Sequence, residues 1–284
     1  MTRSDTASFA LPRLDGRNIL ITGASRGLGR ATAELLTGLG ANLALVSRTG
    51  AAIDGPAAHL TIAADLADPE APAHIATAVT QRWERVDALI NNAGIIGPIG
   101  PLAGNDWREW QQAMQVNLLA PIALCQLLIP RMPAGSAIVN LSGGGATSPR
   151  PNFGAYATAK AGLVRFTENL AVELAGQGIR VNAVAPGAMN TRMLEAVLEA
   201  GAGVVGGEFS KAVEQKNKGG VAPEKAAELV AWLAGPGSQG VSGRLISAVW
   251  DPWRTLAAHA GELAGSDIYT LRRITPEDRG KRWD

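Results

Sequence analysis

Short apolar runs alternate with amphipathic stretches along most of this chain. Residues 18–22, 42–47, 59–63, 86–90, 136–141, 179–184 and 243–249 are short, mostly apolar and read as strands. Residues 30–39, 69–84, 107–129, 156–174 and 223–233 carry apolar positions at helical spacing. Gly40 and Gly176 stand where helices should end, and Pro130 and Pro133 stop the longest one. Residues 49–58 are too broken by glycine and proline to predict a helix. Strands that are apolar throughout belong to a sheet covered on both faces. The pattern therefore predicts an α/β fold, a doubly wound parallel sheet in a single domain. Residues 1–14 read as a flexible arm, 15–251 as the domain and 252–284 as a more charged C-terminal extension.

Composition narrows the picture. Hydrophobic residues make up 46% of 284 and charged residues 18%, enough for a sizeable core. A net charge of +1 gives no electrostatic footprint for nucleic acid or a membrane surface. Cys125 is the single cysteine and lies in an apolar helical run, so it reads as a small core residue. No disulfide can form within the chain, and a reducing, cytoplasmic setting is expected. The first ten residues do not read as a secretory signal, and no window is expected to reach the ~18 apolar residues of a spanning helix. His59, His74 and His259 are scattered, so no zinc site is expected.

Candidate chemistry begins at residues 22–29, Thr-Gly-Ala-Ser-Arg-Gly-Leu-Gly, between the first strand and first helix. Gly23, Gly27 and Gly29 allow a tight turn and close backbone approach to a pyrophosphate at a helix N-terminus, the Rossmann arrangement. Glycines alone are weak evidence, but their place after a strand and before a helix strengthens it. An NAD site would put a carboxylate at the end of the second strand. Here Ser47 and then Arg48 occupy that place, and Arg26 lies inside the turn. Two guanidiniums suit the 2′-phosphate of NADP(H), which is favoured over NAD(H).

Tyr156 and Lys160 are four residues apart in Gly-Ala-Tyr-Ala-Thr-Ala-Lys-Ala-Gly, so they share a helix face. A cation beside a phenol favours the phenolate and should draw the tyrosine pKa down toward working pH. Such a tyrosine can exchange a proton with a carbonyl or alcohol oxygen. By themselves the two residues fit an ordinary surface pair as well.

The ordered set resembles the short-chain dehydrogenase/reductase family over residues 15–250. It comprises the glycine turn, Asp65, residues 91–94 (Asn-Asn-Ala-Gly), Asn117, the Tyr156/Lys160 pair, and Pro186, Gly187 and Thr191. The resemblance implies an NAD(P)-dependent oxidoreductase interconverting a ketone and a secondary alcohol. It implies Tyr156 as acid/base and Lys160 as the residue that lowers its pKa and binds the nicotinamide ribose. It implies Asn117 as the helix-kinking residue of a proton relay. Gly23, Ser25, Arg26, Gly27, Leu28, Gly29, Ser47 and Arg48 would bind the phosphates and adenine ribose. Asp65 and Leu66 would meet the adenine, and Asn92, Ala93 and Gly94 the adenine ribose with Asn91 supporting the sheet. Pro186, Gly187 and Thr191 would embrace the carboxamide. Residues 192–221 correspond to the substrate loop, and their glycines suggest a mobile lid. The two longest helices resemble dimer-forming helices, so a homodimer or homotetramer is expected.

Two departures matter. The family's serine, 13 residues before the tyrosine, is Gly143 here. Ser142 is the nearest substitute, and strand alternation turns it away unless the strand ends or bulges there. Beyond the last strand the chain runs on through Trp250 and Trp253, expected at a pocket, a subunit contact or in plain packing. Two other readings stay open: an NAD-dependent alcohol, polyol or sugar dehydrogenase, and a non-catalytic dinucleotide sensor or scaffold.

Overall fold

A computed structural model describes residues 9–50, 53 and 59–283. Residues 1–8, most of the glycine- and proline-broken stretch 49–58, and Asp284 lie outside the described residues. Seven strands form one parallel sheet in the order β3-β2-β1-β4-β5-β6-β7. They are β1 (Asn18–Thr22), β2 (Asn42–Ser47), β3 (Leu60–Ala63), β4 (Ala88–Asn91), β5 (Ala137–Leu141), β6 (Arg180–Ala185) and β7 (Leu245–Ser247). The order reverses between β1 and β4, and ligands of such sheets bind in the crevice at that point.

Ten helices accompany the sheet among the described residues. They are α1 (Gly27–Gly38), α2 (Ala71–Arg82), α3 (Trp107–Met114), α4 (Ala120–Leu128), α5 (Gly154–Glu173), α6 (Arg192–Ala200), α7 (Ala202–Val205), α8 (Glu208–Lys218), α9 (Pro223–Ala234) and α10 (Ala260–Ala264). Strand residues alternate between the two faces. Ile19, Ile21, Leu43, Leu45, Ala88 and Ile90 join the core under α1 and α9. Leu20, Ala44, Val46 and Leu89 join the core under α2, α4 and the end of α5. The doubly wound architecture is the one the apolar strands predict.

The long helix needs a correction. From Trp107 to Arg131 it runs 25 residues and holds a window of mean hydropathy 1.6, long and apolar enough to span a membrane by length and composition. Its apolar face packs into the core instead, with Val116, Ala120, Leu124, Cys125 and Leu128 buried. A π turn, Gln115–Leu119, interrupts it at Asn117. Burial pushes the Cys125 thiol up to about 12, as fits a core residue.

The chain ends are also more integrated than expected. Leu14 is buried in the core and Leu11 packs against it, so residues 11–14 are docked rather than a free arm. Trp253, Leu256 and Leu263 of the extension belong to the same core cluster. Trp253 packs on Phe9 at 5.3 Å and Trp232 at 5.6 Å between ring centroids. Tyr269 O accepts from Leu245 N at 2.8 Å, so the extension covers the free edge of β7. Residues 192–221 form three helices rather than a loop, with Gly201, Gly206 and Gly219 at positive φ at their junctions. Phe153, fully buried, anchors these helices through Val197, Val205 and Ala212.

Candidate active site

The C-terminal ends of the strands open into a cleft of about 1540 Å³. A drug-sized ligand needs roughly 300–1,000 Å³, so this one has room for a dinucleotide and a second molecule. The cleft brings together Gly23, Ser25, Arg26, Gly27, Leu28, Gly29, Ser47, Arg48, Asp65, Leu66, Asn92, Ala93, Gly94, Ser142, Tyr156, Lys160, Pro186, Gly187 and Thr191. Of the candidate residues, Asn117 and Asn91 stand behind its wall, both buried.

The glycine turn is built for close approach. Gly23 and Gly27 have φ of +71° and +53°. A Cβ on Gly29 would lie 2.2 Å from Gly23 O and 2.4 Å from the Asn92 amide nitrogen, so no side chain fits there. Asn92 Nδ2 donates to Thr22 O at 2.8 Å, and Thr22 Oγ1 accepts from Asn92 N and Ala93 N, both at 3.1 Å. The turn is thereby fixed to the end of β4. Arg26 and Arg48 are exposed on the cleft, and neither has a carboxylate partner among the described residues. Ser47 is buried beneath them.

Tyr156 and Lys160 share one face of α5, and both are buried. Lys160 Nζ donates to Leu141 O at 2.7 Å and lies 5.8 Å from the Tyr156 ring centroid. Burial raises the Tyr156 pKa above 10.0, and the Arg150 guanidinium opposes that rise. Burial pulls the Lys160 ammonium down from 10.5 to about 8. The expected depression of the phenol by Lys160 is therefore not met. Desolvation outweighs the opposing Arg150 charge, and the Lys160 ammonium gives its hydrogen bond to the Leu141 carbonyl.

Asn117 occupies the π turn. Its Oδ1 accepts from Ile95 N at 3.0 Å and its Nδ2 donates to Ile95 O at 2.8 Å. A Cβ on Gly94 would sit 3.0 Å from Asn117 Oδ1 and 3.7 Å from Lys160 Nζ, which places these three together. A buried polar chain supports them: Asn91 Nδ2 donates to Asn140 Oδ1 at 2.8 Å, and Asn140 Nδ2 to Thr167 Oγ1 at 2.9 Å. It ties β4 and β5 to α5. Sequence reasoning missed Asn140 and Thr167, because a polar residue in a strand or helix does not reveal its partner.

Strand β5 ends at Leu141, but Ser142 N still donates to Val184 O at 2.8 Å, so the extended alternation reaches the glycine run. A Cβ at position 143 would lie 2.2 Å from the Tyr156 hydroxyl. The phenol occupies the space a side chain would need there. Ser142 borders the cleft, and its Oγ is buried with no hydrogen-bond partner among the described residues. Trp253 is core, whereas Trp250 is exposed at the cleft mouth.

Comparison with known proteins is decisive at this point. Residues 23–248 match the family model described as "Enoyl-(Acyl carrier protein) reductase". "Short chain dehydrogenase mpl6" of Monascus purpureus is 31% identical over 279 residues, covering 93% of this chain and 91% of that one. The chain belongs to the short-chain dehydrogenase/reductase family. The "3-oxoacyl-[acyl-carrier-protein] reductase FabG" of Thermotoga maritima is 32% identical over 251 residues, covering 82% of this chain and 96% of that one. A short chain dehydrogenase from Burkholderia cenocepacia, solved in complex with NADP, superposes with a TM-score of 0.69 at 30% identity. That match covers 83% of this chain and 97% of the other. As a member of this family the protein is an oxidoreductase enzyme of Rossmann type.

Proposed function

We propose that the protein reduces a ketone to a secondary alcohol, with NADP(H) as cofactor and Tyr156 as the acid. The observation that carries this reading is the buried Tyr156/Lys160 pair at the floor of the cleft, beside a glycine turn with no room for a Cβ at Gly29. That turn fits a pyrophosphate, and its ends would be held by Asp65, Leu66, Asn92, Ala93 and Gly94 on one side and Pro186, Gly187 and Thr191 on the other. When bound, the dinucleotide supplies or takes the hydride. Tyr156 gives its proton to the substrate oxygen as charge develops there. Lys160 holds a ribose hydroxyl and keeps a positive charge near the phenol. Asn117 supports a proton route behind Lys160. A buried hydroxyl left unpaired costs about 1–3 kcal/mol, so Ser142 Oγ, once turned toward the cleft, is the side-chain donor assigned to the substrate oxygen. The family's enoyl-thioester reductases space tyrosine and lysine further apart, so the four-residue spacing here speaks for ketone chemistry.

Arg26 and Arg48 support NADP(H) over NAD(H), because a 2′-phosphate would give both guanidiniums the partner they lack. A charge-assisted hydrogen bond contributes about 1.5–3 kcal/mol, so Arg48→Asp should weaken NADPH binding by roughly 10–150-fold relative to NADH. Fluorescence titration of both cofactors reads this directly. Tighter binding of NADH than NADPH by the unaltered protein would refute the assignment.

The same reading includes self-assembly. Leu119 and Leu127 on the long helix and Val172 on α5 are exposed apolar residues on the two helices that resemble the family's dimer contacts. A homodimer or homotetramer is expected by light scattering, and a monomer at micromolar concentration would contradict it.

A further inference from the structure

Beside Tyr156 the cleft wall holds a cation that the proposed mechanism does not use, and the geometry points to Arg150 as the residue that selects the substrate. We infer that it binds an anionic oxygen near the reacting carbonyl, the carboxylate of a keto acid. The inference rests on the proposed ketone reductase reading and adds a substrate class to it.

Arg150 lies in the segment between β5 and α5 that carries the glycine run. Its guanidinium carbon is 4.0 Å from the Phe153 ring centroid and 5.9 Å from that of Tyr156. Nε donates to Glu208 Oε2 on α8 at 2.8 Å. Phe153 is fully buried, so the guanidinium stacks on a fixed surface and is tethered at one edge. Nη1 and Nη2 have no acceptor among the described residues, and Nη1 lies 3.8 Å from where a Cβ on Gly144 would be. The free edge thus belongs to the wall of the cleft that also contains the phenol. Glu208 does not cancel the charge there, because its other oxygen faces Lys211 Nζ at 3.6 Å. One carboxylate is shared by two cations. A planar, pre-oriented guanidinium with two free donors suits a carboxylate oxygen pair. A neutral ketone would gain less from it.

The test compares substrate pairs in the unaltered protein and in Arg150→Gln, Arg150→Lys and Glu208→Gln. One pair is a 3-oxo acid and its methyl ester. The other is a 4-oxo acid and its methyl ester. Arg150→Gln should raise KM for the ionised member of a pair by roughly 10–100-fold and change the neutral member by less than about threefold. Arg150→Lys should recover part of the loss. Glu208→Gln should keep the preference for the ionised substrate, which separates recognition from a merely structural ion pair. The pair with the larger effect gives the spacing between the carboxylate and the reacting carbonyl. Equal losses on both members of each pair, or a Glu208→Gln variant that behaves like Arg150→Gln, would overturn the inference.

Benzoate, which has no ketone to reduce, gives an independent readout. Calorimetric titration into protein saturated with NADP⁺ should show affinity at least about tenfold weaker in Arg150→Gln. Arg150-dependent benzoate binding in a protein that reduces no ketone would sink the reductase reading and leave this site standing. Equal benzoate affinity in the two proteins would remove the site.

Discussion

Tyr156→Phe should lower kcat for ketone reduction by about 10²–10⁴-fold, the range typical of a lost general acid, and leave NADPH affinity within about threefold. The substitution deletes one hydroxyl from a buried ring and leaves the glycine turn untouched. Burial holds the Tyr156 phenol above its ordinary 10.0, so near neutral pH it carries the proton that reduction consumes. Burial brings the Lys160 ammonium down to about 8. Reduction should therefore be fast below that pH and fall as the pH rises through about 8, when Lys160 loses its charge. Stability should follow a different course. Lys160 binds its proton more weakly in the folded chain than in the unfolded one, where its pKa is 10.5. Between about 8 and 10.5 the unfolded state binds more protons, so this group makes the fold more stable as pH rises there. Alkaline loss of activity should thus occur without any unfolding attributable to Lys160. A pH–rate profile beside circular dichroism at each pH checks this, and a profile flat through pH 8 to 10 would contradict the role of Lys160.

Trp253→Ala should destabilise the fold by about 3–5 kcal/mol, as expected for emptying a well-packed aromatic site. Trp253 is only 2% exposed and joins Phe9 of the N-terminal segment to Trp232 of α9. Its ring also lies under the Arg254 guanidinium at 4.2 Å. Trp250, three residues earlier, is 83% exposed, and Trp250→Ala should stay within about 0.5 kcal/mol. Urea denaturation of the two variants measures the contrast. Similar midpoints for both would show that the extension is an accessory rather than part of the core.

The extension shows what a linear pattern conceals. Strands β1 to β6 were legible because buried parallel strands are apolar throughout, and the glycine turn because its spacing is dictated by backbone geometry. The region after residue 250 has no such rule. Trp253 and Trp250 are the same residue type three positions apart, and only tertiary packing sends one inward. Leu271 likewise packs against Ala146, Val164, Ala183 and Leu245, contacts with no local signature. Residues 192–221 read as a substrate loop through the resemblance, with their glycines pointing to a mobile lid. In the structure Gly201, Gly206 and Gly219 fall at the helix junctions, where positive φ suits them.

Within the site, spacing along α5 placed Tyr156 and Lys160 together but misjudged the balance of their electrostatics. A sequence supplies the charges and not the burial, and burial decides the direction of the Tyr156 shift. The same blindness hid Arg150, whose partner Glu208 is 58 residues away in sequence. Gly143 was legible only as a departure. Its meaning needs the 2.2 Å approach that a Cβ there would make to the Tyr156 hydroxyl.

The central claim is that a buried tyrosine in a member of this family delivers a proton to a ketone reduced by NADPH. Its most direct test is the initial rate of NADPH oxidation over a panel of ketones, measured with the unaltered protein and with Tyr156→Phe. The account predicts ketone-dependent oxidation that is faster with NADPH than with NADH and nearly absent in the variant. Equal rates in the two proteins, or no ketone-dependent oxidation by the unaltered one, would contradict it.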